Sequence, residues 1–212
     1  MKSSIVGIFA HPDDEAFGPS GTLAKLSKNH DVYLICVTDG NSGKNLKDIR
    51  KNELFKSAKI LGIKEVFFLN FKDGELNNNL YHKLAQEIEK YLEKLRPETV
   101  ITFKPRGISG HIDHVAVSLV TTFVFMKLQF IKKLLYFCID KAQRNFEGDD
   151  YFIYFPPGYD RKNIDMTVDI SDEWEQKVQA INAHQSQAKD GDFILSMLSK
   201  FPKEECFLEL KK

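Results

Sequence analysis

The stretch IVGIFAHPDDE, residues 5–15, runs from a six-residue apolar segment straight into an imidazole, a proline and three consecutive carboxylates. A short run rich in β-branched and aromatic residues that stops at charged ones reads as a buried strand ending at a sheet edge. Four similar runs follow, at 32–38, 66–70, 100–103 and 134–139. Between them, at 21–29, 46–61, 80–95 and 114–126, apolar residues recur every three or four positions, as on one face of a helix, and Pro97 closes the third of these segments. This alternation predicts an α/β protein with a parallel, doubly wound sheet covered by helices on both faces. Further on, 151–159 is aromatic and proline-rich, 166–170 reads as a strand and 172–187 as a helix, together a C-terminal elaboration. The 212 residues contain no repeat, low-complexity block or Gly/Ser linker, so 1–212 reads as a single domain.

Lys plus Arg and Asp plus Glu number 30 each, so the formal net charge is zero. Nothing in that balance favours nucleic acid or an anionic membrane, and a small-molecule partner is expected. The lysines at 83–94 read as a solvated helix face. Cys36, Cys138 and Cys206 are odd in number, far apart and set among apolar residues, as reduced core cysteines are. The first apolar run is too short for a signal peptide or a membrane span, so a cytoplasmic protein is expected.

In such a sheet, ligands bind beyond the carboxyl ends of the strands, where the strand order reverses. Four polar clusters fall there: HPDDE at 11–15, TDGNSG at 38–43, FKDG at 71–74 and KPRGISGHIDH at 104–114. The density of charge in the first invites a cation. Zinc takes imidazole nitrogen and carboxylate oxygen, and catalytic sites typically use three protein ligands with one position left for water. His11 and one aspartate can supply two of them, and Pro12 restricts the backbone so that His11 and Asp14 can meet while Asp13 projects alongside. A plainer reading is an acidic helix N-cap. His111 and His114 lie three apart at the start of a helix, where one can complete the metal site and the other overhang it, with Asp113 orienting a histidine. The plainer reading there is helix capping, which two such clusters after adjacent strands weaken. Asp39, Asn41 and Ser42 can hydrogen-bond hydroxyl groups of a ligand or simply form a turn. Arg106 can read an anionic or polyol group of a ligand or sit in solvent. Phe123, Val124, Phe130 and the aromatics of 151–155 can serve the core or a homo-oligomer contact.

HPDDEAFGPSGTLAKL, then VTDGNSG, Arg50 with Glu53 and Ala58, FKDG, GHIDHVAV and AHQSQ together resemble the LmbE/PIG-L family of zinc-dependent N-deacetylases, from about residue 5 to about 187. The resemblance implies a Rossmann-like three-layer αβα sandwich with a mostly parallel sheet, and zinc held by His11, Asp14 and His114. It further implies Asp13 as general base, His111 as the group assisting at the oxyanion or leaving group, and Arg50 as a substrate contact. In the implied reaction a zinc-activated water, deprotonated by Asp13, attacks the amide of an N-acylated amino sugar. His111, if protonated, meets the oxyanion, and Asp113 orients His111 and raises its pKa. His184 of AHQSQ reads as structural. The same ligands accept Fe(II), Co(II) or Mn(II). The segment before HIDH does not favour a malate glycoside in particular. Rival readings are a metal-dependent phosphoesterase or amidase, a member of the family that binds sugar without turning it over, and a nucleotide-binding module. The last would need glycines where this chain has HPDDE.

Overall fold

The computed structural model describes residues 3–40, 46–143 and 154–212. Its centre is a seven-stranded sheet built from β1 (Ser4–Phe9), β2 (Asp31–Thr38), β3 (Glu65–Phe71), β4 (Thr99–Phe103), β5 (Lys133–Cys138), β6 (Met166–Asp169) and β7 (Glu204–Lys211), in the order β3-β2-β1-β4-β5-β7-β6. The pairings among β1 to β5 are parallel, whereas β7 runs antiparallel to both β5 and β6. The order reverses between β1 and β4, so the loops after those two strands open onto one crevice.

Alternation along the strands divides the core. Val6 and Ile8 of β1 join Ile35, Val37, Val100 and Leu134 on one face, under α4 (Tyr81–Leu95) and α5 (Ile112–Lys127). Ile5 and Phe9 join Leu34, Cys36, Ile101 and Phe103 on the other, under α2 (Ser20–Ser27) and α3 (Lys47–Ile60). A strand buried on both faces has no polar side to show, which is why these runs read as continuous apolar sequence. Arg96 takes a left-handed conformation (φ 48°) and its N–H closes α4 on Leu92, ahead of Pro97.

The C-terminal part departs furthest from expectation. Helix α6 (Trp174–Ala183) is shorter than 172–187, because single 3-10 turns flank it. Two further elements, α7 (Ala188–Leu198) and β7, escaped the sequence reading. Gly191 interrupts the helical pattern of α7, but a Cβ there would lie 3.1 Å from Ile181, so a small residue is what lets α7 approach α6. Charged Glu204 and Glu205 hide the start of β7. The one-turn helix α1 (Asp14–Phe17) was also unforeseen. Val124 is buried, Phe123 is exposed and residues 151–153 lie outside the described set. The three cysteines are free and buried, and among the described residues no helix is long and apolar enough to cross a membrane.

Candidate active site

The loop after β1 is held in a costly conformation. Asp13 has φ 145°, a region that favours glycine, and strain of about 1–3 kcal/mol at such a residue persists only where its surroundings over-determine it. Here α3 provides that restraint with three buried residues on one face. The Arg50 guanidinium donates to the Pro12 carbonyl (3.0 Å), the Gly40 carbonyl (2.8 Å) and the Asp13 carboxylate (2.8 Å). Glu53 accepts from the Ser186 N–H (2.8 Å) and hydroxyl (2.6 Å). Ser57 donates to Glu15 (2.6 Å), whose carboxylate also meets His184 Nε2 at 2.8 Å. The AHQSQ segment is thus a brace beneath the loop.

Glu15 and His184 are each 1% exposed. Burial works against the charged imidazole, but Glu15 outweighs it and raises the His184 pKa above its ordinary 6.5. Stability from this pairing is therefore complete below 6.5 and is lost as pH rises through the raised value. Removing one partner of a buried pair costs about 3–5 kcal/mol. His184→Gln should accordingly lower the thermal midpoint, and by more at pH 6 than at pH 9; an equal loss at both would argue against a charged pair.

Three donors converge on the cavity floor. His11 Nδ1 lies 3.1 Å from His114 Nε2 and 3.7 Å from Asp14, and His114 Nε2 lies 3.1 Å from the other Asp14 oxygen. Ligands of one tetrahedral zinc, each about 2.0–2.2 Å from the ion, stand about 3.4 Å apart. The outward nitrogens are also placed for this. His11 Nε2 faces Asp73 (3.0 Å) and Asp113 (3.3 Å), and His114 Nδ1 faces Ser109 (3.4 Å), so each ring can turn a lone pair inward. Burial opposes charge on His11, yet its bonds to Asp113 and Asp73 and the nearby Asp14 carboxylate hold its pKa up at about 10. Asp14, despite burial, is held well below the carboxylate range by His114 and His11. This is a pocket with more negative charge than its protons balance, and the donor set fits a divalent cation.

His11, Asp73, His111 and Asp113 form a second group close enough to hold a metal. Its acceptors are already engaged. Asp113 accepts the N–H groups of Gly74 (2.8 Å) and Leu76 (3.2 Å), a turn that relies on positive φ at Gly74 (78°). The Asp113 N–H in turn donates to His111 Nδ1 (3.1 Å).

Two expectations change here. Asp113, expected to orient His111 through its carboxylate, directs that carboxylate at His11 and reaches His111 through its backbone. The Asp113 charge does raise the His111 pKa, as expected, but burial first, then the charges of His11 and His114, outweigh it and bring the value down to about 4. With Nδ1 accepting, the neutral ring carries its proton on Nε2. Asp13 moves the other way, raised by burial to about 6 although Arg50 opposes this.

Asp39 pairs with Lys47 (3.8 Å) and Arg106 lies over the Tyr159 ring (5.7 Å); neither lines the cavity. Asn41 and Ser42 lie outside the described residues. Arg50 does line the cavity, but its bonds go to the HPDDE loop. Asp73 had no role in the sequence reading, although its position in FKDG after a strand was the available signal.

The family profile described as GlcNAc-PI de-N-acetylase (PIG-L) matches residues 6–125, more than half of the chain and including every residue of this cluster. The chain belongs to this family. Among its relatives, a probable N-acetyl-alpha-D-glucosaminyl L-malate deacetylase 2 of Bacillus anthracis is 35% identical over 121 residues, 51% of this chain and 53% of the relative. The chain thus spans about half the length of that relative. A diacetylchitobiose deacetylase of Thermococcus kodakarensis is 30% identical over 86% of this chain and 69% of its own length. In structure, the N,N'-diacetylchitobiose deacetylase of Pyrococcus horikoshii aligns with TM-score 0.74 at 25% identity, over 99% of this chain and 84% of that one. A 4-carboxy-2-hydroxymuconate hydratase from Pseudomonas putida KT2440 shares the fold (TM-score 0.77, 16% identity, 100% of this chain and 97% of that one), so the architecture does not by itself select the reaction.

Proposed function

We propose that this chain is a zinc-dependent hydrolase that removes the acetyl group from an N-acetylglucosaminyl conjugate, working in the cytoplasm as a single Rossmann-like three-layer domain. One observation carries the reading: His11 Nδ1, an Asp14 carboxylate and His114 Nε2, from two segments a hundred residues apart, meet on a buried floor flanked by Asp13 and His111. The relatives named above are described as deacetylases of an N-acetylglucosaminyl malate and of diacetylchitobiose, which supports an N-acetylated amino sugar as the shared element. The buried, free cysteines suit a reducing compartment.

His11, Asp14 and His114 would hold the metal, which when bound lowers the pKa of a water to about 7 and polarises the amide carbonyl. Asp13, with its pKa near 6, is ionised at neutral pH and takes the proton of the attacking water. His111 offers its Nε2–H to the oxygen on which charge develops, as a neutral donor needing no protonation beforehand. The protonated Asp13 returns the proton to the departing amine. Arg50 fixes the Asp13 carboxylate, and Asp73 and Asp113 fix the His11 ring.

The acid limb of kcat/KM should lie at or below about pH 6, since a nearby cation can only lower the Asp13 pKa. Arg50→Gln removes the charge that opposes the burial shift, so this limb should move to higher pH; an unmoved limb would separate Arg50 from Asp13. A two-metal phosphoesterase would need the second group of donors free, and its carboxylates are spent on His11 and on the Gly74 turn.

The decisive experiment pairs elemental analysis of the purified protein with amine release from simple N-acetylglucosaminides, with and without a chelator. About one zinc per chain and chelator-sensitive release are expected. Protein that binds no added zinc and releases no amine would overturn the reading.

A further inference from the structure

The metal-ligand cluster supplies only part of the lining of its cavity, whose volume is about 320 Å³. The wall changes character beside the ligands. The Phe103 ring lies 4.9 Å from His114 and 6.1 Å from Phe137, so an apolar surface begins at the cluster and continues past the end of β5. Phe17 and Trp174 extend it from α1 and α6. Helix α7 adds Phe193, Ile194, Met197 and Leu198 to the same lining. Phe193 is 51% exposed, and the other three are half-buried, on a helix whose only fully buried residue is Gly191. Apolar side chains held at that level of exposure around a cavity carry a hydration cost that an apolar occupant would remove.

Four charged groups line this part of the cavity, Lys177, Glu205, Glu204 and Asp190, and the first three are already paired. The Lys177 ammonium donates to the Gly18 carbonyl (2.6 Å) and to Glu205 (2.8 Å). Glu205 also accepts the N–H groups of Gly21 (2.9 Å) and Thr22 (2.7 Å) at the start of α2. Glu204 is held by Arg161 (2.9 Å), which leaves Asp190, on the exposed first turn of α7, as a single charge short of the convergent donors and acceptors that a second sugar ring would require.

We propose that this apolar half is a subsite for an aliphatic chain of several carbons attached to the amino sugar, so that the enzyme acts on lipophilic N-acylglucosaminides. The proposal rests on the deacetylase reading for the position of the scissile amide, and the chemistry is unchanged: water adds to the carbonyl, the C–N bond breaks, and acid and amine leave. The chain can arrive as the acyl group or as the aglycone.

The first test needs no turnover. Methyl and hexyl glucosides, which carry no amide, are titrated into the zinc-loaded protein. Binding is followed by calorimetry and by the fluorescence of Trp174, the chain's one tryptophan, which lines the cavity. A buried methylene is worth about fourfold in affinity, so five more of them, half buried, should bring roughly a thirtyfold gain. Met197→Asn, at a half-buried position outside the core on either face of the sheet, should shrink the ratio between the two ligands. Equal binding of the two glucosides by both methods would overturn the subsite.

The second test measures kcat/KM for N-acylglucosamines of rising acyl length and for alkyl N-acetylglucosaminides of rising aglycone length. A rise in one series supports the subsite and shows which end of the substrate carries the chain. Turnover of short members with flat or falling values in both series would overturn the subsite and leave the deacetylase reading standing. Hexyl-dependent binding with no turnover in either series would overturn the deacetylase reading and leave the subsite.

Discussion

Asp13→Ala should cost about 10²- to 10⁴-fold in turnover while the protein retains its full zinc content. The separation of the two effects follows from geometry. His11, Asp14 and His114 bring their donor atoms within 3.1–3.7 Å of one another, and the Asp13 carboxylate is bonded to Arg50 instead. Losing one partner of the buried Arg50–Asp13 pair costs stability, but the loop keeps its other ties: Arg50 retains the Pro12 and Gly40 carbonyls and the Asp73 carboxylate at 3.7 Å, and Glu15 retains Ser57 and His184. Asp13→Asn, which retains the shape and the tolerance for unusual φ but not the basicity, should be impaired to a similar degree. Wild-type turnover in either variant at equal zinc content would remove Asp13 from the reaction.

His114→Ala should have the opposite signature, with activity lost because the metal is lost. Removing an outer hydrogen-bond partner of a ligand already costs about 10- to 100-fold in metal affinity, and removing a ligand should exceed that. Zinc titration against a competing chelator reads the change directly. Asp73→Asn is the informative contrast: its carboxylate faces His11 Nε2 from 3.0 Å without belonging to the inner three, so it should weaken zinc binding by the smaller factor. If His114→Ala bound zinc as tightly as the unaltered chain, the ligand set proposed here would be wrong. Metal binding must also displace the proton held on His11, whose pKa stands at about 10, so affinity should rise with pH in the unaltered protein.

Residues close in sequence were legible because their chemistry is local. The run at 5–10 followed by HPDDE announces a buried strand and a charged sheet edge without reference to any other part of the chain. The strand–helix alternation that places His11 and His114 just beyond neighbouring strands follows from hydrophobic period and the handedness of crossovers. What stayed hidden depended on partners distant in the chain. Arg50 is a surface charge or a substrate contact until α3 is seen to aim it at Asp13, and Asp73 is a turn residue until it is seen against His11. The same holds for β7, whose Glu205 contradicts a buried strand until α2 supplies two N–H groups and α6 a lysine to neutralise it. The fall of the His111 pKa could not be read from HIDH, because its leading causes are burial and the His11 ring, which the fold delivers from a hundred residues away. Sequence by itself determined which groups could do chemistry and at which sheet edge, since hydrophobic patterning and ligand type are properties of single segments. Tertiary structure decided which of those groups face one another and in what protonation state, since desolvation and charge–charge energies depend on distances that only the packed chain sets.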